Sequence, residues 1–202
     1  MVTLTADEVK SFLSNISNSE HHALFKLAFA TGMRRSELLG LRWSDIDFKK
    51  STISISQTAL KIGSTAVISN TTKTTSSKRI IAIDTDTIQE LMKHKIAIDK
   101  RRIKTMNWIN NNLVFPGIKG NPRCPDEVSK LCKKYANSIG KPAFTMHGTR
   151  HTHATLLIEN GANMKAIQER LGHASFQETM DTYSHVTPKM ENDLVERISK
   201  IF

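Results

Sequence analysis

The chain has 202 residues, of which 39% are hydrophobic and 24% are charged, a balance that suits a folded domain and excludes a disordered one. Its 29 Lys and Arg against 19 Asp and Glu give a formal net charge of +10, which favours a polyanionic partner. Nucleic acid is the first candidate, and a merely soluble basic protein is the alternative. No apolar run approaches the ~20 residues that cross a bilayer, and residues 1–4 lack the features of a signal peptide. We therefore expect a cytoplasmic protein with no membrane partner.

The two cysteines point to the same kind of compartment. Cys124 and Cys132 lie eight residues apart, which matches neither a C-x-x-C pair nor a disulfide framework. Both are expected to be reduced thiols.

The N-terminal part of the chain is expected to be helical. Thr5 and Glu8 have the spacing of a capping box, in which each side chain bonds the other residue's backbone N–H. Gly32 ends a helical stretch cheaply, because glycine tolerates positive φ. The predicted helices cover residues 5–16, 21–31 and 35–41.

The pattern then changes to alternating apolar and polar residues, which predicts strands. Residues 51–56 alternate in this way, and further strands are predicted at 65–69 and 79–83. A turn is expected at 61–64, and the polar segment 71–78 is expected to be a loop. Three short strands in sequence predict an antiparallel meander.

The remainder of the chain looks helical, apart from a surface connection expected at 105–124, where Pro and Gly recur. The expected fold class is α+β, mostly α: a helical domain with a small three-stranded antiparallel sheet. The predicted helices of this part cover 87–104, 125–139, 147–160, 164–171, 175–183 and 188–200.

Two groups of residues are suited to binding phosphate. Arg34 follows Gly32 at a bend, and Glu37 lies one helical turn further on, where it can orient Arg34 or Arg35. A surface ion pair at a helix start is the plainer interpretation. Lys73 lies in the polar loop, from which a lysine can swing onto a phosphate, although exposed loop lysines are common.

A third group lies on one predicted helix. His147, Arg150 and His151 share one face, where imidazole and guanidinium groups can donate to phosphate oxygens, while His153 points elsewhere. A core or capping role is the alternative for any single histidine. His147 and His151 also have the spacing of a zinc pair, but no carboxylate or thiol ligand is near and Arg150 would repel a cation. No metal is expected.

The fourth group is His173, after Leu171-Gly172, with Tyr183 ten residues further on. In this order and spacing the four groups resemble the catalytic domain of the tyrosine recombinases, the integrases of phages and integrative mobile elements. The resemblance rests on TGMRRSELLGLRW (31–43), K-T-x-x-S-x-R-x-I from Lys73, HGTRHTHATLL (147–157), ERLGHAS (169–175) and TMDTYSHV (179–186).

The resemblance implies a set of catalytic residues. Glu37 falls on an accessory acidic position, and Thr149 departs from the Leu that the family often has there, a packing change that leaves the chemistry intact. The expected catalytic residues are Arg34, Lys73, His147, Arg150, His173 and Tyr183. The expected DNA contacts are Lys78, Arg79, Arg123, Lys130, Lys133 and Lys134.

The resemblance also implies an activity and an organisation. The activity is cofactor-independent, site-specific cleavage and rejoining of double-stranded DNA attachment sites through a 3′-phosphotyrosine, in a homotetrameric synaptic complex, with the isolated fragment a monomer. Residues 1–186 would form the catalytic domain and 187–202 a C-terminal helix exchanged between protomers, and the family's N-terminal DNA-binding domains are absent from this chain. A bacterial, nucleoid-associated protein is expected. A type IB topoisomerase and a non-catalytic DNA-binding regulator are the alternatives.

Overall fold

The computed structural model describes residues 2–63, 65–69 and 79–172. Within these ranges the helices are α1 (Ala6–Ser14), α2 (Ser19–Thr31), α3 (Arg35–Gly40), α4 (Thr85–Lys104), α5 (Pro125–Ser138), α6 (Met146–Glu159) and α7 (Met164–Leu171). The strands are β1 (Ile46–Asp47), β2 (Thr52–Ile55), β3 (Thr58–Ile62), β4 (Thr65–Ser69) and β5 (Arg79–Ala82), with a 3₁₀ turn at Trp43–Asp45. None of the helices described here is both long and apolar enough to cross a membrane. The predicted fold class is confirmed, while the helices predicted at 175–183 and 188–200 lie outside the described residues.

The local signals at the N-terminus act as the sequence predicts. Thr5 Oγ1 accepts from the Glu8 N–H at 3.3 Å, and the Thr5 N–H donates to the Glu8 carboxylate at 2.9 Å, which completes the capping box of α1. α2 ends at Gly32, whose φ of 64° lies in the left-handed region. The short turn after α2 therefore leads directly to Arg34, the N-cap of α3.

The strands form two sheets rather than one. β1, β2 and β5 make a three-stranded antiparallel sheet, and β3 pairs with β4 as a separate antiparallel hairpin. The prediction that the strand at 65–69 joins the three-stranded sheet is therefore wrong. It pairs instead with 58–62, part of which was expected to be a turn.

The hairpin leaves the sheet because β3 packs against α3. A Cβ at Gly40 would lie 2.8 Å from backbone atoms of Thr58, so the two backbones are in direct contact. Gln57 is buried just before β3 and donates to the Gly40 carbonyl at 2.6 Å, and Ala59 is fully buried. A helix contact of this kind does not show in the local alternation of apolar and polar residues.

The core combines the first three helices, the inner face of the three-stranded sheet, and faces of α4 and α5. The segment between α4 and α5 crosses it, since Leu113, Val114 and Phe115 are buried; this differs from the surface connection expected at 105–124. The Pro and Gly residues of this segment correctly predict turns, but they give no indication that the short apolar run before them is buried. A smaller cluster of buried residues joins α6 to α7 and consists of Ala154, Ile158, Ile167 and Leu171.

The turn at Gly32 provides a test of this packing. A Cβ there would lie 2.7 Å from side-chain atoms of both His153 and Leu171, whereas one at Gly140, which has a similar positive φ of 71°, would meet nothing within 4 Å. We expect Gly140→Ala to lower the free energy of unfolding by about 1 kcal/mol through backbone strain alone. Gly32→Ala should lower it by about 3 kcal/mol, because overpacking is added to the strain. Urea denaturation measures both, and equal losses would show that the close contact costs nothing.

Candidate active site

Three of the predicted catalytic residues line one cleft. It has a volume of about 390 Å³ and is bordered by the turn between α2 and α3, by α5 and by the start of α6. Arg34, His147 and Arg150, which are far apart in the sequence, therefore meet in space. The lining residues are Met33, Arg34, Arg35, Ser36, Ser129, Thr145, Met146, His147 and Arg150.

Arg150 is held from behind by backbone carbonyls. The residue is 3% exposed, and its Nη1 and Nη2 donate to the carbonyls of Gly32 at 2.9 Å and Leu171 at 2.8 Å. These carbonyls stand at the C-terminal ends of α2 and α7, where the helix dipole concentrates partial negative charge. The guanidinium is thus fixed in orientation by the protein before any ligand binds.

Arg34 is the more accessible guanidinium of the cleft. Its side chain is 39% exposed, with Nη1 donating to Glu37 at 3.1 Å and Nη2 to the Gly172 carbonyl at 3.3 Å. Of the two arginines that Glu37 was expected to orient, the structure selects Arg34. Arg35, which also lines the cleft, points away from Glu37 and donates to the Ser129 hydroxyl and the Pro125 carbonyl.

Glu37 is a buried carboxylate, 3% exposed, with two arginine partners. Besides Arg34, it binds Arg79 through both oxygens, at 3.0 and 2.9 Å. Burial acts to raise the pKa of Glu37, but the hydrogen bonds and charge of Arg79, and then those of Arg34, outweigh it and lower the pKa below the usual range. Glu37 is therefore an ionised bridge between the two guanidinium groups.

The imidazoles of the site are neutral at neutral pH. Burial, and then the charges of Arg150 and Arg34, lower the pKa of His147, which is exposed on the cleft. His151 packs nearly perpendicular to it with ring centroids 4.5 Å apart. Burial, and then repulsion from His147 once that ring is protonated at lower pH, lower the pKa of His151 to about 4. A neutral His147 at the cleft can accept a proton.

A further pair, His153 and Arg170, supports the site from behind. His153 Nδ1 donates to the Phe29 carbonyl at 2.7 Å, and Nε2 accepts from Arg170 Nε at 3.0 Å. Arg170 also donates to the carbonyls of Ala30 and Ala82 at 2.9 and 3.0 Å, which ties α7 to the end of α2 and to β5. This role of Arg170 was not predicted from the sequence, where its position beside Leu171-Gly172 is the available signal.

The predicted DNA contacts that the structure describes fall into two groups. Lys130, Lys133 and Lys134 are exposed on α5, and contact with DNA stays a prediction for them. Arg79 and Arg123 are instead turned inward, with Arg123 buried and 3.6 Å from Glu20. This differs from the exposed position expected of a phosphate contact, because a carboxylate that is largely buried needs a cationic partner.

The remaining predicted residues, Lys73, Lys78, His173 and Tyr183, lie outside the described residues. Across the part of the chain that the structure describes, no three His, Cys, Asp or Glu side chains gather as metal ligands.

The buried His153 predicts a pH dependence of stability. Burial, and then the charge of Arg170, lower its pKa to about 4, against ~6.5 in an unfolded chain. A folded pKa below the unfolded one gives stability that is complete above pH ~6.5 and lost as the pH falls toward 4, here roughly 3 kcal/mol. In His153→Gln the amide can keep both hydrogen bonds without titrating. We expect that variant to unfold with a shallower pH dependence over this range in urea denaturation, and an unchanged slope would contradict it.

Comparison with known proteins places these features in a family. Residues 2–190 match the Phage integrase family. The chain is 32% identical over 212 residues to a tyrosine recombinase XerC-like protein of Caldanaerobacter subterraneus subsp. tengcongensis, covering 99% of this chain and 54% of that protein. It is 33% identical over 203 residues to the integrase of Staphylococcus phage L54a, covering 96% and 57% of the two chains.

The fold has a counterpart among solved structures. The Tn1549 transposon integrase in complex with transposon right end DNA superposes with a TM-score of 0.80 at 26% identity, covering 98% of this chain and 66% of that one. This chain spans about half the length of the curated relatives it matches. The match over residues 2–190, with Arg34, His147 and Arg150 gathered at one cleft, shows that the chain belongs to the phage integrase family.

Proposed function

We propose that this chain is the catalytic part of a site-specific recombinase that cuts and rejoins DNA through a covalent 3′-phosphotyrosine, for integration or excision of a phage or mobile element. One observation carries the proposal: two guanidinium groups and a neutral imidazole, from distant parts of the sequence, line a single open cleft. The names of the relatives, integrase and tyrosine recombinase, support recombination over relaxation by a type IB topoisomerase.

The two arginines supply what a phosphodiester requires. The ester is anionic and resists nucleophiles, and attack adds charge to its non-bridging oxygens. Arg34 presents an accessible guanidinium, while Arg150 is oriented beforehand by the Gly32 and Leu171 carbonyls. Such donors stabilise the developing charge without reorganising at the moment of reaction.

In this proposal Tyr183 is the nucleophile. A phenol with a pKa of ~10 reacts poorly at neutral pH, so the site must take up its proton, and His147 is the acceptor. The phenolic oxygen bonds to phosphorus as the bond to the 5′ oxygen breaks, Lys73 protonates that oxygen, and His173 donates a hydrogen bond to the phosphate. The products are a 3′-phosphotyrosyl link and a free 5′-hydroxyl.

Rejoining reverses the same step. The 5′-hydroxyl of a second strand attacks the phosphotyrosyl ester and releases the tyrosine, so neither ATP nor a redox cofactor enters the balance. The proposal includes a homotetramer at two double-stranded attachment sites and a monomer in isolation. Residues 1–186 act as the catalytic unit, and 187–202 dock on a neighbouring protomer. The sequence spacing of Leu194, Ile198 and Ile201, which predicts one apolar stripe on a helix, supports this docking.

A nicked suicide DNA substrate tests the chemistry. The nick lets the short fragment that carries the new 5′-hydroxyl diffuse away after cleavage. The covalent complex is then trapped and can be detected on a denaturing gel. We expect an adduct with the unaltered chain in the presence of EDTA, and none with Tyr183→Phe, because phenylalanine lacks the attacking oxygen. An adduct that persisted in Tyr183→Phe would assign the nucleophile elsewhere.

Arg150→Lys tests the guanidinium clamp with the charge retained. A lysine cannot bridge the Gly32 and Leu171 carbonyls while presenting a flat pair of donors to a phosphate. We expect the rate constant of adduct formation to fall by roughly 10²–10³-fold, the usual cost of losing a preorganised donor. Arg102→Lys, the same change at an exposed position of α4 that does not line the cleft, serves as the control. A rate near that of the unaltered chain would mean that charge alone suffices at position 150.

A further inference from the structure

Arg79 lies next to the cleft but faces away from it. Its side chain is 7% exposed, and its Nε donates to the Arg170 carbonyl at 2.7 Å. Both terminal nitrogens donate to Glu37, one to each carboxylate oxygen, which is the paired geometry of a strong arginine–carboxylate contact. A guanidinium bound in this way directs its nitrogens toward protein groups in the interior and not toward the cleft.

The backbone at the end of α7 closes over the same side chain. A Cβ at Gly172 would lie 3.1 Å from both Cδ and Nη1 of Arg79, so the glycine permits close contact. The Gly172 carbonyl also accepts from Arg34 Nη2 at 3.3 Å. Arg79 is thus packed between this glycine and Glu37, directly behind Arg34.

The net charge of Arg34, Glu37 and Arg79 determines how strongly Arg34 attracts an anionic ligand. Glu37 accepts from the Arg34 N–H at 2.8 Å and from its Nη1 at 3.1 Å, and an isolated pair of these two residues would sum to zero charge. With Arg79 included, two guanidinium groups share one carboxylate and the sum is +1. Because Glu37 is buried, where charges interact strongly, the change in net charge from zero to +1 alters the electrostatic potential at the cleft.

We propose that Arg79 is a positioning residue that neutralises Glu37, so that Glu37 orients the Arg34 guanidinium without cancelling its attraction for a phosphate in the cleft. This inference rests on the proposed function, since it takes a phosphodiester to be the ligand of Arg34. Glu37 and Arg79 together then act as a neutral support, and the cleft keeps the full charge of Arg34.

A double-mutant cycle tests the proposal. The rate constant of covalent adduct formation on the suicide DNA is measured for the unaltered chain, Arg79→Met, Glu37→Gln, and the double variant, at a temperature where circular dichroism shows each to be folded. We expect Arg79→Met alone to slow the reaction about 100-fold, because Glu37 then pairs fully with Arg34. On the Glu37→Gln background the same change should slow the reaction by no more than about tenfold, because no carboxylate is left to pair with Arg34 and only the charge of Arg79 itself is lost.

The double variant keeps the proposal testable even if a single variant does not fold, because it removes the pair together and leaves the full charge of Arg34; its rate should stay within about tenfold of the unaltered chain, and a loss of about 100-fold would overturn the proposal. A buried ion pair replaced by neutral groups is often tolerated, whereas a single buried charge is not. Arg79→Lys, which keeps the charge but not the paired contact, should stay within about tenfold of the unaltered rate. Equal losses from Arg79→Met on both backgrounds would show that Arg79 acts on DNA or on folding independently of Glu37, and would overturn the proposal.

A matched control comes from the same part of the fold. Arg42 and Asp45 repeat the arrangement of Arg34 and Glu37, with a backbone N–H contact at 3.0 Å and an ion pair at 2.9 Å, but they do not line the cleft. Arg42→Met should leave the adduct rate within about twofold of the unaltered chain. If the unaltered chain formed no adduct, the proposed function itself would fail, and this inference with it.

Discussion

The rest of the site depends on the hydrogen bonds that Arg150 donates to carbonyls at the ends of two helices. α2 and α7 both finish in glycine caps with left-handed φ, 64° at Gly32 and 67° at Gly172. These caps turn the chain so that the carbonyls of Gly32 and Leu171 accept from one buried guanidinium. The Leu171 carbonyl belongs to the last turn of α7, where helical geometry leaves carbonyls without partners, and the Gly32 carbonyl directly follows α2, so the guanidinium lies at the negative ends of both helix dipoles.

The same helix ends organise the residues around Arg150. Arg34, the N-cap of α3, follows two residues after Gly32, and its guanidinium reaches the Gly172 carbonyl. Arg170, in the last turn of α7, binds the Ala30 carbonyl and His153. Helix ends, rather than helix faces, therefore set the distances within the site, and each arginine serves at once as a structural and an electrostatic element.

Concentrated positive charge has a consequence for the histidines. The nearby arginines add to burial in keeping His147, His151 and His153 neutral, so the site holds imidazoles that accept protons beside guanidinium groups that never release them. Glu37 is kept ionised by the same neighbours and joins the start of β5, through Arg79, to the turn that bears Arg34. A separation of roles between fixed cations and neutral bases suits phosphoryl transfer by positioning and electrostatics.

Local rules were enough for much of the fold, because capping residues, helix-ending glycines and apolar alternation act over a few neighbouring residues. The capping box at Thr5, the stop at Gly32 and the helix over 164–171 follow from such rules. They failed where a distant contact decided the outcome, as when β3 packed on α3 and drew the hairpin out of the sheet.

For the candidate site, the sequence by itself determined the kinds of residue and their order, since the spacing of Arg34 and of His147 with Arg150 is readable along the chain. Only the tertiary structure decided that these three share a cleft, that Glu37 takes Arg34 rather than Arg35, and that Arg79 faces inward. The physical reason is that burial and ion pairing depend on which helix ends meet. In this chain α2 and α7 meet at Arg150 across more than a hundred residues of sequence.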